Sequence, residues 1–424
     1  LVNFSFAQQR NAVDHFRNPP ASAKPWVIWY WMHGAFSRAG ITADLEAMKA
    51  AGIGGAYLMP IKDTVTPPIF QPTARQLSPE WWQLVHFAMQ EAKRLDLQLG
   101  MHLSDGFSLA GGPWITPELS MQKLVWSKQF VKADFKGTIQ LPQPQAVKGY
   151  YKEVATYAYP VRRRDWDLQF VQPEVTTSNN VNASFLTKAD SKESFRGDNG
   201  TWIQYAYPQP VTVRSLRIKT GSNNYQSHRL IVQVSKDGKN FTTLTRLSPP
   251  RHGWQDTDED VTHALPETTS QYFRFVYDKE GTEPGAEDLD AAKWKPSLKL
   301  MQLRLSGEAV INQYESKNGS MWRLSLPATS QTAPAVTAIP LDKIIDLTAS
   351  LDNEGKVNFA GGQLPEGFDS WVIVRIGHTS TGHENATAGA GKGLECDKFN
   401  PEAITLQFNN WFGQAFAQTD PQLA

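Results

Sequence analysis

The sequence has a single cysteine, Cys396, in 424 residues. That excludes an intramolecular disulfide framework and says nothing about compartment. It also lacks an excess of either charge: 42 Lys and Arg balance 42 Asp and Glu, and the pI is near 7.3. Such a balance argues against nucleic acid or an anionic membrane surface as the main partner. No apolar run is long enough to span a bilayer. Metal motifs of His/Cys spacing are missing, since His378 and His383 stand five residues apart on a loop rather than on one helix face. There is no nucleophile elbow, and the glycine-rich run 389–393 lacks the strand–turn–helix geometry that binds phosphate.

What is abundant is aromatic: 14 Trp and 12 Tyr. Most such rings pack cores and interfaces, but flat aromatic faces also suit the C–H faces of pyranose rings. The chain starts with Leu, and Ser5-Phe6-Ala7 has the small-x-small pattern of a secretion-signal cleavage site. Residues 1–17 are therefore expected to be a signal remnant and N-terminal arm, and the protein to be exported to the periplasm or beyond.

From Trp26 the pattern alternates strand and helix. "PWVIWYWM" is a continuous apolar and aromatic run, as expected of a strand buried on both faces. "ITADLEAMKAAG" places Ile41, Leu45 and Met48 on one helical face, with Gly52 at the C-terminal cap. "IGGAYLMPI" predicts a second strand. Ser78 and Pro79 open a second helix whose stripe is Trp81, Val85, Ala88, Ala92 and Leu95, and "LQLGMHLSD" predicts a third strand. Strand–helix–strand order with short linkers predicts a parallel sheet.

Near residue 125 the period changes to two. An all-β block at 165–310 includes Asp237-Gly238 as a hairpin turn, and short alternating strands suggest a β-sandwich or jelly roll. β-rich connections are expected at 131–164 and 311–368. At "WVIVRIG", 371–377, buried-strand character returns. A helix follows, opened by Asn400 and Pro401, with Ile404, Phe408, Trp411 and Ala415 as its stripe. The predicted fold class is α/β plus all-β: the N-terminal half of a (β/α)8 barrel, over 18–130 and 369–424, interrupted by a jelly-roll insertion. At most four βα units are present where a closed barrel needs eight. The expectation is either a small open sheet or the front of a barrel, and the Leu start and a stop soon after a helix favour the second.

In a barrel the loops after the strand C-termini build the site. Those positions hold His33 and Gly34, then Pro60, Lys62 and Asp63. After the third strand come His102, Asp105, Trp114 and Glu118, and the last loop supplies His378, His383, Glu384 and Glu395. Each has an ordinary structural alternative. A rim histidine is more often a satisfied structural residue, and Glu118 in "TPEL" suits a helix first turn. Glu395 stands apart, because neither a helix dipole nor an apolar stripe explains a carboxylate in "AGKGLECDK".

Three segments carry a resemblance: "KPWVIWYWMHGAFSRAGITADLEAMKAAGIGGAYLM", "HLSDGFSLAGGPWITPELSMQKLVWS" and "VIVRIGHTSTGHENATAGAGKGLECDK". They resemble successive landmarks of glycoside hydrolase family 106, the α-L-rhamnosidases, over roughly 18–130 and 340–415. The β block resembles a galactose-binding-like jelly roll, mainly through "VQVSKDGKNF". The resemblance implies a (β/α)8 barrel decorated by β domains, calcium as cofactor, and hydrolysis of terminal α-L-rhamnosides of plant or microbial glycans with inversion. It implies that Glu395 is the catalytic acid, with the base a second Glu on a later strand beyond Ala424. Inverting chemistry needs an acid on the leaving oxygen and a base activating water from the other face, with carboxyls about 6.5–9.5 Å apart. The sugar would be held by His33, Asp105, Trp114, His378 and Lys398, with Lys398 on Asp397 or on the sugar rather than on Glu395. The glycines would let the backbone lie close to the sugar. Asp105-Gly106-Phe107 departs from the family pattern, which expects a small residue and a Trp there. By this reading the 424-residue chain alone is inactive. The alternatives are a non-catalytic carbohydrate-binding protein that uses its jelly roll, and a hydrolase of the same barrel type acting on another sugar.

Overall fold

A computed structural model describes residues 14–62, 66–103, 110–221, 225–250, 260–281, 297–320, 339–385 and 389–419. The chain divides into two compact units, one of residues 1–121, 147–150 and 382–424, the other of 122–146 and 151–381. The signal pattern at 5–7 lies outside the described residues.

The first unit starts with the predicted strand–helix alternation. Strands β1 (Trp26–Met32), β2 (Gly55–Ile61) and β3 (Gln98–Met101) pair in parallel in that order. Helices α1 (Arg38–Ala50) and α2 (Pro79–Arg94) connect them. Both helices begin as their sequences dictate. The Ser37 hydroxyl accepts the Gly40 N–H at 3.1 Å, and the Ser78 hydroxyl accepts the Trp81 N–H at 3.2 Å, each satisfying an orphan first-turn donor. Ile41 and Leu45 of α1, and Trp81, Val85, Ala88 and Ala92 of α2, bury against Trp29, Trp31 and Leu58 of the sheet. Each large side chain so buried stabilises the unit by about 1.5–3 kcal/mol. Leu95 and Met48 are half-buried at the edge of that core. The expectation of strands buried on both faces is corrected: Ile28, Tyr30 and Tyr57, at 53%, 54% and 50% exposure, line a face that no described residue covers. Aromatic and branched residues suit a pleated strand whether or not a second layer covers them, so the apolar run did not distinguish the cases.

A two-residue strand, β4 (Gly111–Gly112), follows. The second unit contains β5 (Gln122–Lys132), β6 (Lys136–Gln140), β7 (Lys152–Val161), the short helix α3 (Arg163–Asp167) and β8 (Glu174–Thr177). It continues with β9 (Phe195–Gly197), β10 (Trp202–Thr220), β11 (Leu230–Ser235), β12 (Thr242–Arg246), β13 (Asp260–Tyr277) and β14 (Leu298–Ser306). β15 (Ile345–Asp346), β16 (Lys356–Ala360) and β17 (Ser370–Ser380) complete it. Strands β8 to β14 form one seven-stranded sheet in the order β12-β11-β13-β10-β14-β9, with β8 also paired to β10. Hydrogen bonding thus links all seven strands rather than two separate layers. Register shifts at Ala206/Val211 and Val213/Ser215 bend the long strands, so one continuous strand can serve more than one side of a core. That core includes Tyr205, Leu216, Phe273, Phe275 and Leu303. The Asp237-Gly238 turn is present between β11 and β12: Gly238 has φ +72°, and Asp237 Oδ1 accepts the N–H groups of Lys239 and Asn240.

The run 371–377 is not a fourth strand of the parallel sheet. It lies in β17, which pairs antiparallel with β5 on one side and β7 on the other, in a sheet ordered β15-β7-β17-β5. A central antiparallel strand is buried on both faces just as a parallel one is, so hydrophobicity alone could not separate them. Residues 369–381 therefore belong to the second unit, and the chain returns to the first at 382.

There it forms β18 (Leu394–Glu395), helix α4 (Pro401–Phe408), a π-helical turn Asn409–Gly413 and helix α5 (Gln414–Gln418). Asn400 caps α4 as expected, its Oδ1 accepting the Glu402 N–H at 3.0 Å. The expected stripe is corrected: Ile404 and Phe408 are 43% and 49% exposed, and the buried face is Ala403, Gln407, Trp411 and Ala415. Four residues spaced by four would drift off one face of a regular helix. The extra residue taken up by the π turn restores their alignment.

Candidate active site

Glu395 sits in a two-stranded antiparallel ribbon in which β18 pairs with β4, Leu394 opposite Gly112 and Glu395 opposite Gly111. Its backbone is held on both sides: the N–H donates to the His383 carbonyl at 3.0 Å, and its carbonyl accepts the Met121 N–H at 2.9 Å. Cys396 N–H donates to Ala110 and Asp397 N–H to Leu119, each at 2.8 Å, extending the ladder. The Glu395 side chain is buried, with Lys398 Nζ 3.3 Å from its Oε2. A buried carboxylate is costly without such a partner. Lys398 itself is half in solvent, so the pair lies at the mouth of the site. The expectation that Lys398 would avoid Glu395 is corrected: three residues apart in the turn after β18, the ammonium meets the buried charge.

Behind Glu395 lies a polar network that the sequence did not announce. The Gly111 carbonyl accepts from Asn385 Nδ2 at 2.7 Å, Gln407 Nε2 at 3.0 Å and Trp411 Nε1 at 3.2 Å. Asn385 also donates to the Gly391 carbonyl at 2.9 Å and accepts the Gly393 N–H at 3.0 Å, which closes the loop ahead of β18. Gln407 Oε1 accepts the Trp114 indole N–H at 2.8 Å, and the Trp114 and Trp411 rings meet edge to face at 5.5 Å. Trp114 thus spends its indole donor on the protein.

The glycines have a different cause from the expected one. A Cβ on Gly111 would collide with the Leu394 carbonyl, and one on Gly393 with the Gly112 carbonyl. The space is filled by the ribbon's own backbone, which must pack this closely to bring Glu395 opposite Gly111.

His33 and Lys62 follow β1 and β2 directly, and both adopt the left-handed region, φ 58° and 53°. Non-glycine residues there store strain. His33 donates its backbone N–H to the Ile61 carbonyl at 3.1 Å, while its buried Nδ1 has no partner among the described residues. Asp105 and Asp63 lie outside the described residues. His102 follows β3, its N–H donating to the Leu58 carbonyl at 2.8 Å. Glu118 is the first-turn carboxylate of its ordinary reading, held below the usual carboxylate range first by the Thr116 side chain and then by its own backbone N–H. Glu384 pairs with Lys148 at 3.3 Å and Lys392 at 3.6 Å. His378 is on β17 in the second unit, its Nδ1 2.9 Å from Gln122 Oε1, because β17 is an antiparallel strand rather than a barrel strand. Calcium takes six to eight oxygen ligands. Among the described residues no three Asp, Glu, His or Cys side chains converge as a metal site.

Against this geometry stands a match of residues 17–424 to the family model of glycoside hydrolase family 106, described as alpha-L-rhamnosidase. The chain belongs to that family. The structure of a rhamnosidase from Novosphingobium sp. PP1Y superimposes at TM-score 0.71, with 28% identity over 97% of this chain and 38% of that one. A protein of Formosa agariphila named as a putative beta-glucuronidase is 43% identical over 145 residues, 34% of this chain and 12% of the relative. A chitosan-binding module from Paenibacillus sp. IK-5 matches at TM-score 0.24 and 16% identity over 32% of this chain, too slight a likeness to carry a conclusion. The family member described here thus spans well under two thirds of either longer relative. It is a mixed α/β protein, no helix of its described residues is long and apolar enough to cross a membrane, and its family acts on carbohydrate.

Proposed function

We propose that this chain supplies the acid half of an inverting α-L-rhamnosidase site. Glu395 donates its proton to the glycosidic oxygen as the bond to the anomeric carbon breaks, and water activated by a second carboxylate attacks from the opposite face. The observation that carries the reading is the placement of Glu395: a buried carboxyl, its backbone fixed by a ribbon on both sides, with the half-exposed Lys398 ammonium against it. A general acid must hold its proton when substrate arrives. Lys398 therefore moves from Oε2 to a sugar hydroxyl as the rhamnoside enters. His33, with its unspent Nδ1, and Asp105 are the proposed sugar contacts from the parallel sheet. Trp114 acts as support. Calcium and export, implied by the resemblance and by the N-terminal pattern, belong to this proposal as well.

The described parallel sheet has three strands, and a closed (β/α)8 barrel has eight. The 424-residue chain assayed alone is accordingly expected to be inactive. Hydrolysis of an aryl α-L-rhamnoside tests the reading. The whole enzyme should turn it over and lose about 10²–10⁴-fold on Glu395→Gln, with none from the chain alone. Turnover by the chain alone that disappears on Glu395→Gln would overturn the requirement for further strands.

A second reading keeps the chemistry and changes the sugar. The 43% identity to the Formosa agariphila protein favours a glucuronide. Parallel assays with aryl α-L-rhamnoside and aryl β-D-glucuronide separate the two.

A further inference from the structure

The second unit contains a cavity of about 360 Å³, in the size range of small-ligand pockets. Its walls come from β5, β7, α3, β10 and the segments after β14, before β15 and before β17, and include Tyr159, Trp166, Phe368, Lys128, Arg214 and Asp165. None of these residues takes part in the Glu395 site. The aromatic residues supply an apolar wall. One face of Trp166 is stacked on Phe130, 5.8 Å between centroids and 26° between planes, which fixes the indole as it lines the cavity.

Most of the polar lining is paired, and the Arg162 guanidinium lies over the Phe368 ring, 5.8 Å from its centroid. Lys128 Nζ contacts both carboxyl oxygens of Glu308, at 2.9 and 3.1 Å. Arg214, only 4% exposed, donates Nη1 to Asp165 Oδ2 at 2.9 Å and to the Gly307 carbonyl at 2.7 Å, and Nε to Glu267 at 2.9 Å. Arg214 Nη2 and Asp165 Oδ1 are buried without a hydrogen-bond partner among the described residues, although the exposed Arg164 Nε lies 3.7 Å from that Oδ1 as an ion-pair contact. Buried polar atoms of this kind are rare in native proteins and call for a ligand or a water. A hydroxyl, which donates and accepts at once, is the group that suits both.

We propose that this cavity is a second carbohydrate site, binding one neutral pyranose unit with its apolar face on Trp166. The guanidinium–carboxylate pair takes its hydroxyls. Neutrality follows from the overall charge: the lining cations Lys128, Arg162 and Arg214 are matched in number by Glu308, Asp165 and Glu267, which leaves no net positive charge to select a sugar carboxylate. The site would hold a neighbouring unit of a glycan chain, or another chain, without taking part in bond cleavage. The inference does not rest on the role of Glu395.

The test is calorimetric titration of the 424-residue chain carrying Glu395→Gln. The probes are methyl α-L-rhamnoside and methyl β-D-galactoside, with methyl β-D-glucuronide as the charged control. Saturable binding of at least one neutral glycoside is expected, unchanged from the chain with Glu395 intact. It should weaken at least ten-fold in Trp166→Ala and in the cavity-filling Ile344→Trp, with unfolding temperatures showing that both variants fold. No saturable binding of either neutral glycoside, meaning that the unspent atoms hold water only, would overturn the proposal. So would binding that both variants retain, or tighter binding of the glucuronide.

Discussion

Gly111 lies directly opposite Glu395 in the β4–β18 ribbon, and its carbonyl collects donors from Asn385, Gln407 and Trp411. The proposed acid is therefore positioned from behind by residues that lie 274, 296 and 300 positions away from Gly111. Gly111→Ala tests that relationship, because its Cβ would meet the Leu394 carbonyl. The ribbon must open, at about 1–3 kcal/mol. A displacement of about 1 Å at the reacting group can cost about 10²-fold in rate. Urea unfolding together with a rhamnoside assay of the whole enzyme should show a modest loss of stability and a large loss of activity.

Gln407 joins the Trp114 indole to the Gly111 carbonyl. Gln407→Leu removes both bonds and should destabilise the first unit by about 1–3 kcal/mol. Gln407→Glu keeps the acceptor for Trp114 but places a carboxylate oxygen against the Gly111 carbonyl. It should cost at least as much despite its near-identical shape. Chemical denaturation of the two variants checks the order.

Lys398 is half exposed, so its ion pair with Glu395 is worth less than about 1 kcal/mol to the fold. Lys398→Met leaves the buried Glu395 carboxylate without this cation, so it should lower the unfolding midpoint modestly and raise KM of the whole enzyme for the rhamnoside about ten-fold or more, since a contact to the sugar is lost as well. Loss of stability without change in KM would make the lysine purely structural.

In the second unit, burial holds the His263 imidazole down at about 3, with His228 Nδ1 3.0 Å from its Nε2. An unfolded histidine titrates near 6.5. Between about pH 3 and 6.5 the unfolded chain binds a proton that the folded chain refuses. This contribution is complete above pH 6.5 and is lost as pH falls, with a slope of at most about 1.4 kcal/mol per unit. Denaturant midpoints of the wild type should fall more between pH 7 and pH 5 than those of His263→Gln.

The cap serines Ser37 and Ser78, the α1 and α2 stripes, the Asp237-Gly238 turn and the Asn400 cap were legible because each depends on residues within one or two turns. The sheet to which 371–377 belongs was not, because a central strand presents the same apolar run in either kind of sheet. His378 was misplaced with it. Glu395 could be singled out because its local sequence gave it no structural task. Asn385 and Gln407 could not, since a buried amide is defined by distant carbonyls and looks like any polar loop or helix residue in the chain. The π turn hid Gln407 further by shifting the buried face of α4 one residue from the apolar stripe.

The most direct measurement of the central claim is the leaving-group dependence of the whole enzyme carrying Glu395→Gln. A general acid matters most when the departing oxygen is a poor leaving group. The variant should lose about 10³-fold or more on an alkyl α-L-rhamnoside and far less on the 2,4-dinitrophenyl rhamnoside, whose phenolate departs unprotonated. Equal losses on the two substrates, or none on the alkyl glycoside, would contradict Glu395 as the acid.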